Sequence, residues 1–522
     1  MLTNIAPHTA VGKNAKIDTP STAFQRQHRD IAPCHDLMGG TESMRRAGVT
    51  YIIKEQGEDD SSHQARVKRT VLRNIFAQTV SYSRGQVFSR QVSIDAADGN
   101  MTDENLDRFK AWAENVDQRG HNLTAWGGET FKQGLVDGVI FAFVDYPYIE
   151  TERRENGVTE YRTQNGEWRR KTAAADKAEG WQPYLVLVPA AQVLECRGEW
   201  QGNRHILTHF RFIEEKMEPV DGNPWGEQRV QYIRAYWPDH WEVYVKREGE
   251  TDFTKDKEGR LSLKEIPVAI FMPGEQRTSY TARPALMDLA WLNIRHWQAT
   301  SEQYDLLSFA RRPPWYISGV DETDNLDENG KPKPLEFGPG KVFYLPQGGQ
   351  MGSAGVNPAS IEAGRQDLKD LEEAMAAYGL QLLQTPTGNR TATQVEREGR
   401  ENNSTLRNWA LDFQDFLENC LRLVGLWWGL DDGPSAKVND DFARNANVEY
   451  LMRLYDKSLI SKETMANLMT RAGILPDDFD YEDEAARIAQ DLGVNGGSNF
   501  STTLSQHLKG MGTVPPQGGS EA

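Results

Sequence analysis

Hydrophobic positions in the first quarter of the chain recur at helical spacing, and those of the second quarter alternate instead. From Gln27 to Ala47 the pattern is helical, with Pro33 and the pair Gly39 and Gly40 as interruptions. Val67, Val71, Ile75 and Val80 predict one helix over 63–83, and further helices are predicted over 103–116 and 122–134. The period then changes. Gly138–Tyr148 is rich in Val, Ile and Phe and reads as a buried strand ending at Pro147. Segments 183–196, 205–214, 229–237 and 241–247 are also strand-like. In one of them Arg229, Gln231 and Arg234 intersperse with Val230, Tyr232 and Ile233, close to a half-buried sheet. Charged loops at 153–171 and 248–259 separate the strands. Residues 138–275 therefore predict a mostly antiparallel sheet joined to the helices before it, an α+β arrangement.

The second half is mainly helical. Residues 283–309 predict a long helix with Pro284 in its first turn. Leu286, Leu289, Trp297, Tyr304 and Leu307 lie near one face, which Asn293 and Thr300 interrupt. Such a polar seam suggests an oligomer contact. Residues 310–356 read as a small β insert, with strands at Trp315–Ser318 and Lys341–Leu345 and a Gly-rich stretch at Gly348–Gly355. Two apolar seams follow. One is Leu368, Leu371, Met375, Tyr378 and Leu382; the other runs Leu406, Ala410, Phe413, Leu417, Cys420, Val424 and Trp427. Pro386 and Gly388 forbid a continuous helix between them, and Thr391 with Gln394 fits a capping box. Toward the end, helices are predicted at 447–457 and at 461–472, the latter capped by Ser461. The acidic run Asp477–Glu484 leads into a third. Gly, Ser, Pro and Thr dominate from Gly493 on and predict a mobile tail.

Charge narrows the function classes. The 59 Lys and Arg against 76 Asp and Glu leave −17, which disfavours wrapping of nucleic acid. It is compatible with a surface along which phosphates slide without sticking. Mean hydropathy is −0.66. The longest apolar runs, Val139–Val144, Tyr184–Val188 and Val424–Leu430, are too short to span a bilayer. Met1–Lys16 lacks the pattern of a signal peptide, which predicts a cytosolic origin. Cys34, Cys196 and Cys420 are far apart and predict reduced thiols.

The constellations that carry chemistry are incomplete. There is no GxxxxGK[ST] loop and no GxSxG elbow; Gly338-Pro-Gly340 leads into a strand pattern instead of a helix. His205 and His209 sit in a strand pattern without an HExxH glutamate and read as strand residues. Residues 325–336 match a calcium loop at Asp327, Asn329, Gly330 and Glu336. Lysines at positions 7 and 9 and two prolines favour a solvated hairpin tip instead. The acidic run around Asp478, Asp480 and Glu482 reads as a solvated helix start. Arg66–Arg73 and Arg169–Lys171 read as wet faces, and Trp427-Trp428 as core or interface. No cofactor, metal or enzymatic activity is expected.

The order of parts is informative. RPALMDLAWLNIRHWQATSEQYDLLSFARRPPWYISG at 283–319, the stretch 361–430, LISKETMANLMTRAGILPDD at 459–478 and GETFKQGLVDGVIFAFVDYP at 128–147 resemble portal proteins of tailed double-stranded DNA bacteriophages. The likeness is to a subgroup long filed as a family of unknown function. It implies an N-terminal arm at 1–26, an α/β wing at 27–282 and a stem helix at 283–309. A small β-containing clip at 310–356 and a second stem helix at 357–383 follow. It also implies a tunnel loop at 384–391, a long wing helix at 392–433, an α-helical crown at 434–492 and a flexible tail at 493–522.

It implies a homo-oligomeric ring, of about twelve subunits, at one capsid vertex. The ring is the channel for DNA packaging and ejection. It docks the terminase large subunit and then head–tail adaptor or connector proteins, and it contacts the major capsid protein and scaffold. The expected location is the virion, and the host cytoplasm during assembly, with no membrane partner.

On this resemblance Gln384, Thr385, Pro386, Thr387, Gly388, Asn389 and Arg390 would face DNA. Trp291, Asn293, Trp297, Thr300 and Tyr304 would form the stem and subunit interface. Trp315, Asp327, Glu336 and Lys341 would carry the clip contact. The rival expectations are another virion structural or connector protein and a metal-dependent nuclease.

Overall fold

The structure, a computed structural model, describes residues 15–96, 101–147, 152–155, 158–162, 168–170, 181–220, 222–313, 315–319, 347–378 and 392–440. It also describes 452, 455–457, 460–471, 475 and 479–491. The side chains of 392–404 and some others lie outside the description. The chain divides into two compact units, 1–439 and 440–522.

In the first unit, helices α1 (Thr22–Met38), α2 (Gly40–Arg46), α3 (Gly48–Tyr51), α4 (Asp60–Arg69) and α5 (Ile75–Val87) come first. Strand β1 (Ser93–Asp95), α6 (Asp103–Ala113) and α7 (Leu123–Asp137) follow. The N-terminal arm is shorter than the sequence suggests. Phe24 is fully buried against the sheet, so 22–26 belong to α1. Residues before it are pinned as well: Arg211 donates to the carbonyls of Ile17, at 2.5 Å, and Thr19, at 3.0 Å. Pro33 lies inside α1 and does not end it. The helix expected over 63–83 is two helices. Thr70 adopts an extended backbone after α4, and Asn74 caps α5 by accepting from Ala77 N at 3.0 Å.

The sheet region is antiparallel throughout its described pairings. β2 (Ile140–Asp145) is the centre of a three-stranded sheet between β6 (Tyr184–Pro189) and β12 (Val268–Phe271). Between β2 and β6 in sequence, β3 (Glu152–Glu155), β4 (Val158–Arg162) and β5 (Trp168–Arg170) pair among themselves. The strand expected over 183–196 is broken after Pro189 by a 3-10 turn at Ala190–Gln192. β7 (Val193–Gln201), β8 (Arg204–Val220), β9 (Asn223–Tyr236), β10 (His240–Arg247) and β11 (Thr254–Arg260) form a five-stranded meander in sequence order. Lys255, Asp256, Lys257, Glu258 and Arg260 make β11, an edge strand, almost wholly charged.

One core joins Phe24 and Ile31 of α1 to Phe141 and Phe143 of β2 and to Phe210 and Phe212 of β8. Gly138 ends α7 at φ 77°, and a Cβ there would meet the backbone of Arg283 and Pro284. Only glycine fits that crossing.

A hairpin of β13 (Glu275–Thr278) and β14 (Thr281–Arg283) leads to α8 (Met287–Arg311). The helix starts four residues later than 283 because Arg283 is still paired in β14, so Pro284 precedes its first turn. A ribbon of β15 (Trp315–Ser318) and β16 (Gln350–Ser353) follows, so the Gly-rich stretch supplies a strand. Lys341–Leu345 lie outside the described residues. α9 (Pro358–Ala377) is capped by Asn357, and α10 (Ala392–Trp427) closes the set. The proposed capping box at Thr391 and Gln394 lies outside the described side chains.

Phe413 of α10 packs edge-on against Phe88, Phe131 and Phe271 at 5.5, 5.4 and 4.9 Å between ring centroids. β17 (Ser435–Lys437) then pairs with β1 across most of the unit's sequence. No helix among the described residues is long and apolar enough to cross a membrane.

In the second unit, α11 (Lys462–Arg471) is capped by Ser461, whose hydroxyl accepts from Thr464 N at 3.0 Å. Met465 and Met469 pack with Met452, Tyr455, Ile460 and Leu475. Asp480 accepts from Asp483 N at 3.1 Å and opens α12 (Tyr481–Asp491). The predicted tail from Gly493 lies outside the described residues.

Candidate functional site

The long helix α8 organises the candidate residues. Asn293 is completely buried. Its Oδ1 accepts from Phe76 N and its Nδ2 donates to Arg73 O, both at 2.9 Å. Gln298 donates to Tyr51 O at 2.7 Å, and Gln303 to Ile361 O at 3.0 Å. Thr300 donates back to His296 O at 2.8 Å, and Trp297 sits in the core with Cys34, Leu37 and Met375. The polar seam therefore serves this chain's own backbone, and the reading of Asn293, Trp297 and Thr300 as a surface for neighbours is corrected accordingly. The bond to Phe76 N satisfies a first-turn amide that has no partner within its own helix. Trp291 and Tyr304, by contrast, are 48% and 42% exposed.

α9 runs antiparallel to α8. Gln303 meets Ile361, Arg295 lies 3.8 Å from Asp367, and His296 lies 3.5 Å from Glu372. Arg73 also pairs with Glu372, so the break between α4 and α5 is tied to both long helices. Burial lowers the pKa of His296, against the opposing pull of Glu372. On the other flank, Arg66 and Glu58 form a two-pronged pair, and Arg69 reaches Asp305 at 3.0 Å. The hydrogen bonds from Arg66 bring the Glu58 carboxyl down to about 2.

Of the insert residues, Trp315 is half-exposed on the β15–β16 ribbon. Asp327, Glu336 and Lys341 lie outside the described residues, as do Gln384–Arg390. The calcium-loop comparison falls in the same undescribed stretch. Among the described residues no group of three or more His, Cys, Asp or Glu could hold a metal ion. The acid Asp480 is used as a helix cap. His205 and His209 bond Tyr280 and the carbonyl of Tyr236 instead of converging on a metal. Cys34, Cys196 and Cys420 are free thiols, and burial pushes Cys34 up to about 12.

One feature was not legible in the sequence. A hollow of about 700 Å³ opens where β2, β6, β8, β9, β10, β11 and the end of α10 meet. Trp427 forms one wall: it stacks on Tyr146 at 5.2 Å and donates to Val144 O at 3.1 Å. Arg234 lies 2.7 Å from Asp145, which also accepts from the Tyr184 hydroxyl at 2.9 Å. The density of aromatic residues in these strands was the available signal, but nothing in the spacing brings Tyr146 to Trp427. Trp428 takes the other side of the helix end, against Phe109 at 4.8 Å.

Against known proteins, the model of a domain family of unknown function, DUF4055, matches residues 285–428. That stretch contains α8, the β insert, α9 and all of α10. No curated protein matches the chain. Among solved structures, a chain from the neck of the native gene transfer agent particle, computed with C12 symmetry, is similar. It has 11% identity, a TM-score of 0.37 and coverage of 76% of this chain and 89% of that one. A chain from the neck of the empty particle, computed with C6 symmetry, has 11% identity and a TM-score of 0.40 over 79% and 94%. A chain from the virion of the native particle has 12% identity and a TM-score of 0.36 over 81% and 90%.

Proposed function

We propose that this chain is a portal subunit: a non-enzymatic, ring-forming virion protein through which double-stranded DNA enters and leaves a capsid. The observation that carries the reading is the order and pairing of its parts. A body of helices and antiparallel sheets is followed by two antiparallel long helices, α8 and α9, that bracket a β-bearing insert. A longer helix then returns to the body, where Phe413 anchors it between α7 and β12. In this reading residues 27–282 are the wing, α8 and α9 the stem, 310–356 the clip and α10 the wing helix.

The mechanism is electrostatic and mechanical. A chain of net charge −17 offers passing phosphates a repelling wall where its acids face the channel. Loop 384–390, with Arg390 as its one charge, touches the DNA. The clip meets the terminase motor and later the adaptor. Trp291 and Tyr304, the exposed aromatics of α8, are available for contact with a neighbouring stem.

Native mass spectrometry with negative-stain imaging of the purified protein tests the reading. A ring of about twelve copies with a central hole is expected. A closed dimer or compact small oligomer would overturn it.

A further inference from the structure

We propose that the β8–β9 ribbon is an arm that inserts Trp225 into the aromatic hollow of a second copy of this chain. The proposal rests on the ring reading and names one of its contacts. β9 pairs with β10 only from Val230 to Tyr236, yet it stays paired with β8 out to Asn223. The far end is thus a two-stranded ribbon projecting past the sheet. At its tip Trp225 is 92% exposed, with Met217 and Val220 also exposed. A large indole standing in water near the tip of a ribbon has the form of an interface anchor. Pro219 and Pro224 remove a backbone donor from each strand, which disfavours strand addition and leaves the contact to side chains.

The hollow fits this anchor in shape and charge. Its volume of about 700 Å³ has room for an indole beside the stacked pair of Tyr146 and Trp427. Residues 217–228 hold Glu218, Asp221 and Glu227 and no Lys or Arg, a charge of −3. The lining of the hollow holds four cations, Lys257 and Arg260 among them, against three carboxylates. An acidic tip therefore meets a net positive mouth.

The arm cannot serve its own hollow. Tyr232 lines the hollow and lies seven residues from Trp225, about 23 Å along a strand. Regular pairing with β8 from Tyr232 to Glu227 holds about 17 Å of that separation, and the bulge that carries Trp225 lies beyond it. A knob and a socket at separate places on one chain make a head-to-tail contact, the kind that closes into a ring.

The test places p-benzoylphenylalanine at position 225 of the full-length protein, irradiates it and maps adducts by mass spectrometry. Inter-copy adducts on the peptides carrying Tyr146, Trp427 or residues 255–262 are expected. Trp225→Asp should lower ring yield at least tenfold with an unchanged circular dichroism melt. Trp200→Asp, at an exposed tryptophan of the β7–β8 hairpin, should leave the yield as it was. Rings that form without adducts in the hollow, or an undiminished yield from Trp225→Asp, would overturn the arm and leave the ring reading standing. Absence of both rings and adducts at any concentration would remove both.

Discussion

Asn293 and Arg73 are joined by a part-buried hydrogen bond of 2.9 Å, from the long helix α8 to the last carbonyl but one before α5. With its other amide atom Asn293 accepts from Phe76, so one side chain pins both sides of the break between α4 and α5. Asn293→Leu leaves the Phe76 N–H unpaired in the core, while Arg73 O keeps its bond from Ile75 N, and should destabilise the chain by about 1–3 kcal/mol. Asn293→Asp keeps the acceptor, loses the donor and places an unpaired charge there. Urea denaturation of both variants checks this, and a loss confined to oligomerisation would contradict it.

The pair of Glu58 and Arg66 should dominate part of the acid limb of stability. Glu58 is held at about 2 by the hydrogen bonds from Arg66. Its folded value lies below its unfolded one, so its contribution is complete above about pH 4.5 and is lost as pH falls toward 2. Denaturant midpoints measured from pH 6 to pH 2.5 should fall less steeply in Glu58→Gln than in the parent. Arg66→Met, which strands the carboxylate, should cost about 3 kcal/mol at neutral pH.

His35 has the opposite sign. Its bond of 2.7 Å to the fully buried Asp137 raises its pKa, because the carboxylate favours the charged ring. The stability it lends is complete below the ordinary histidine value, about 6.5, and is lost as pH rises through the raised folded value. A downward slope of the denaturant midpoint above neutrality is expected in the parent and absent in His35→Gln. Asp137 also accepts from Ala190 N at 3.0 Å, so Asp137→Ala should be far more damaging than the histidine change.

Phe413 holds α10 to the body through three aromatic contacts. Phe413→Ala should cost about 3–5 kcal/mol, read as a drop in melting temperature. Phe413→Leu should recover more than half of it.

Deletion of 385–389 should impair packaging or retention of DNA while rings still form. Counting DNA-filled particles, together with imaging of the purified ring, separates the two effects. Loss of the ring would contradict the role proposed for the loop.

Legibility followed locality. The Val139–Val144 run, the Ser461 cap and the acidic start at Asp480 carry their signals within a few residues, and the structure uses them as read. The break at 70–74 was hidden because Val67, Val71, Ile75 and Val80 keep helical spacing across it. Its cause, Asn293, lies 220 residues away from Arg73. The same distance effect misassigned the polar seam of α8: an amide that bonds distant backbone looks, in sequence, like one awaiting a neighbour. Arg234 resembled the outward half of an alternating strand, but it is ion-paired with Asp145 from another sheet. The aromatic hollow is assembled from seven separate segments and leaves no local trace.

The charged edge strand β11 bears on how such a protein survives its own abundance. At high local concentration an open sheet edge is a template for indiscriminate stacking. Five charged side chains in seven residues make that edge a poor template. Copies can therefore crowd without fusing sheet to sheet, and association is left to contacts with a specific lock and a reversible beginning.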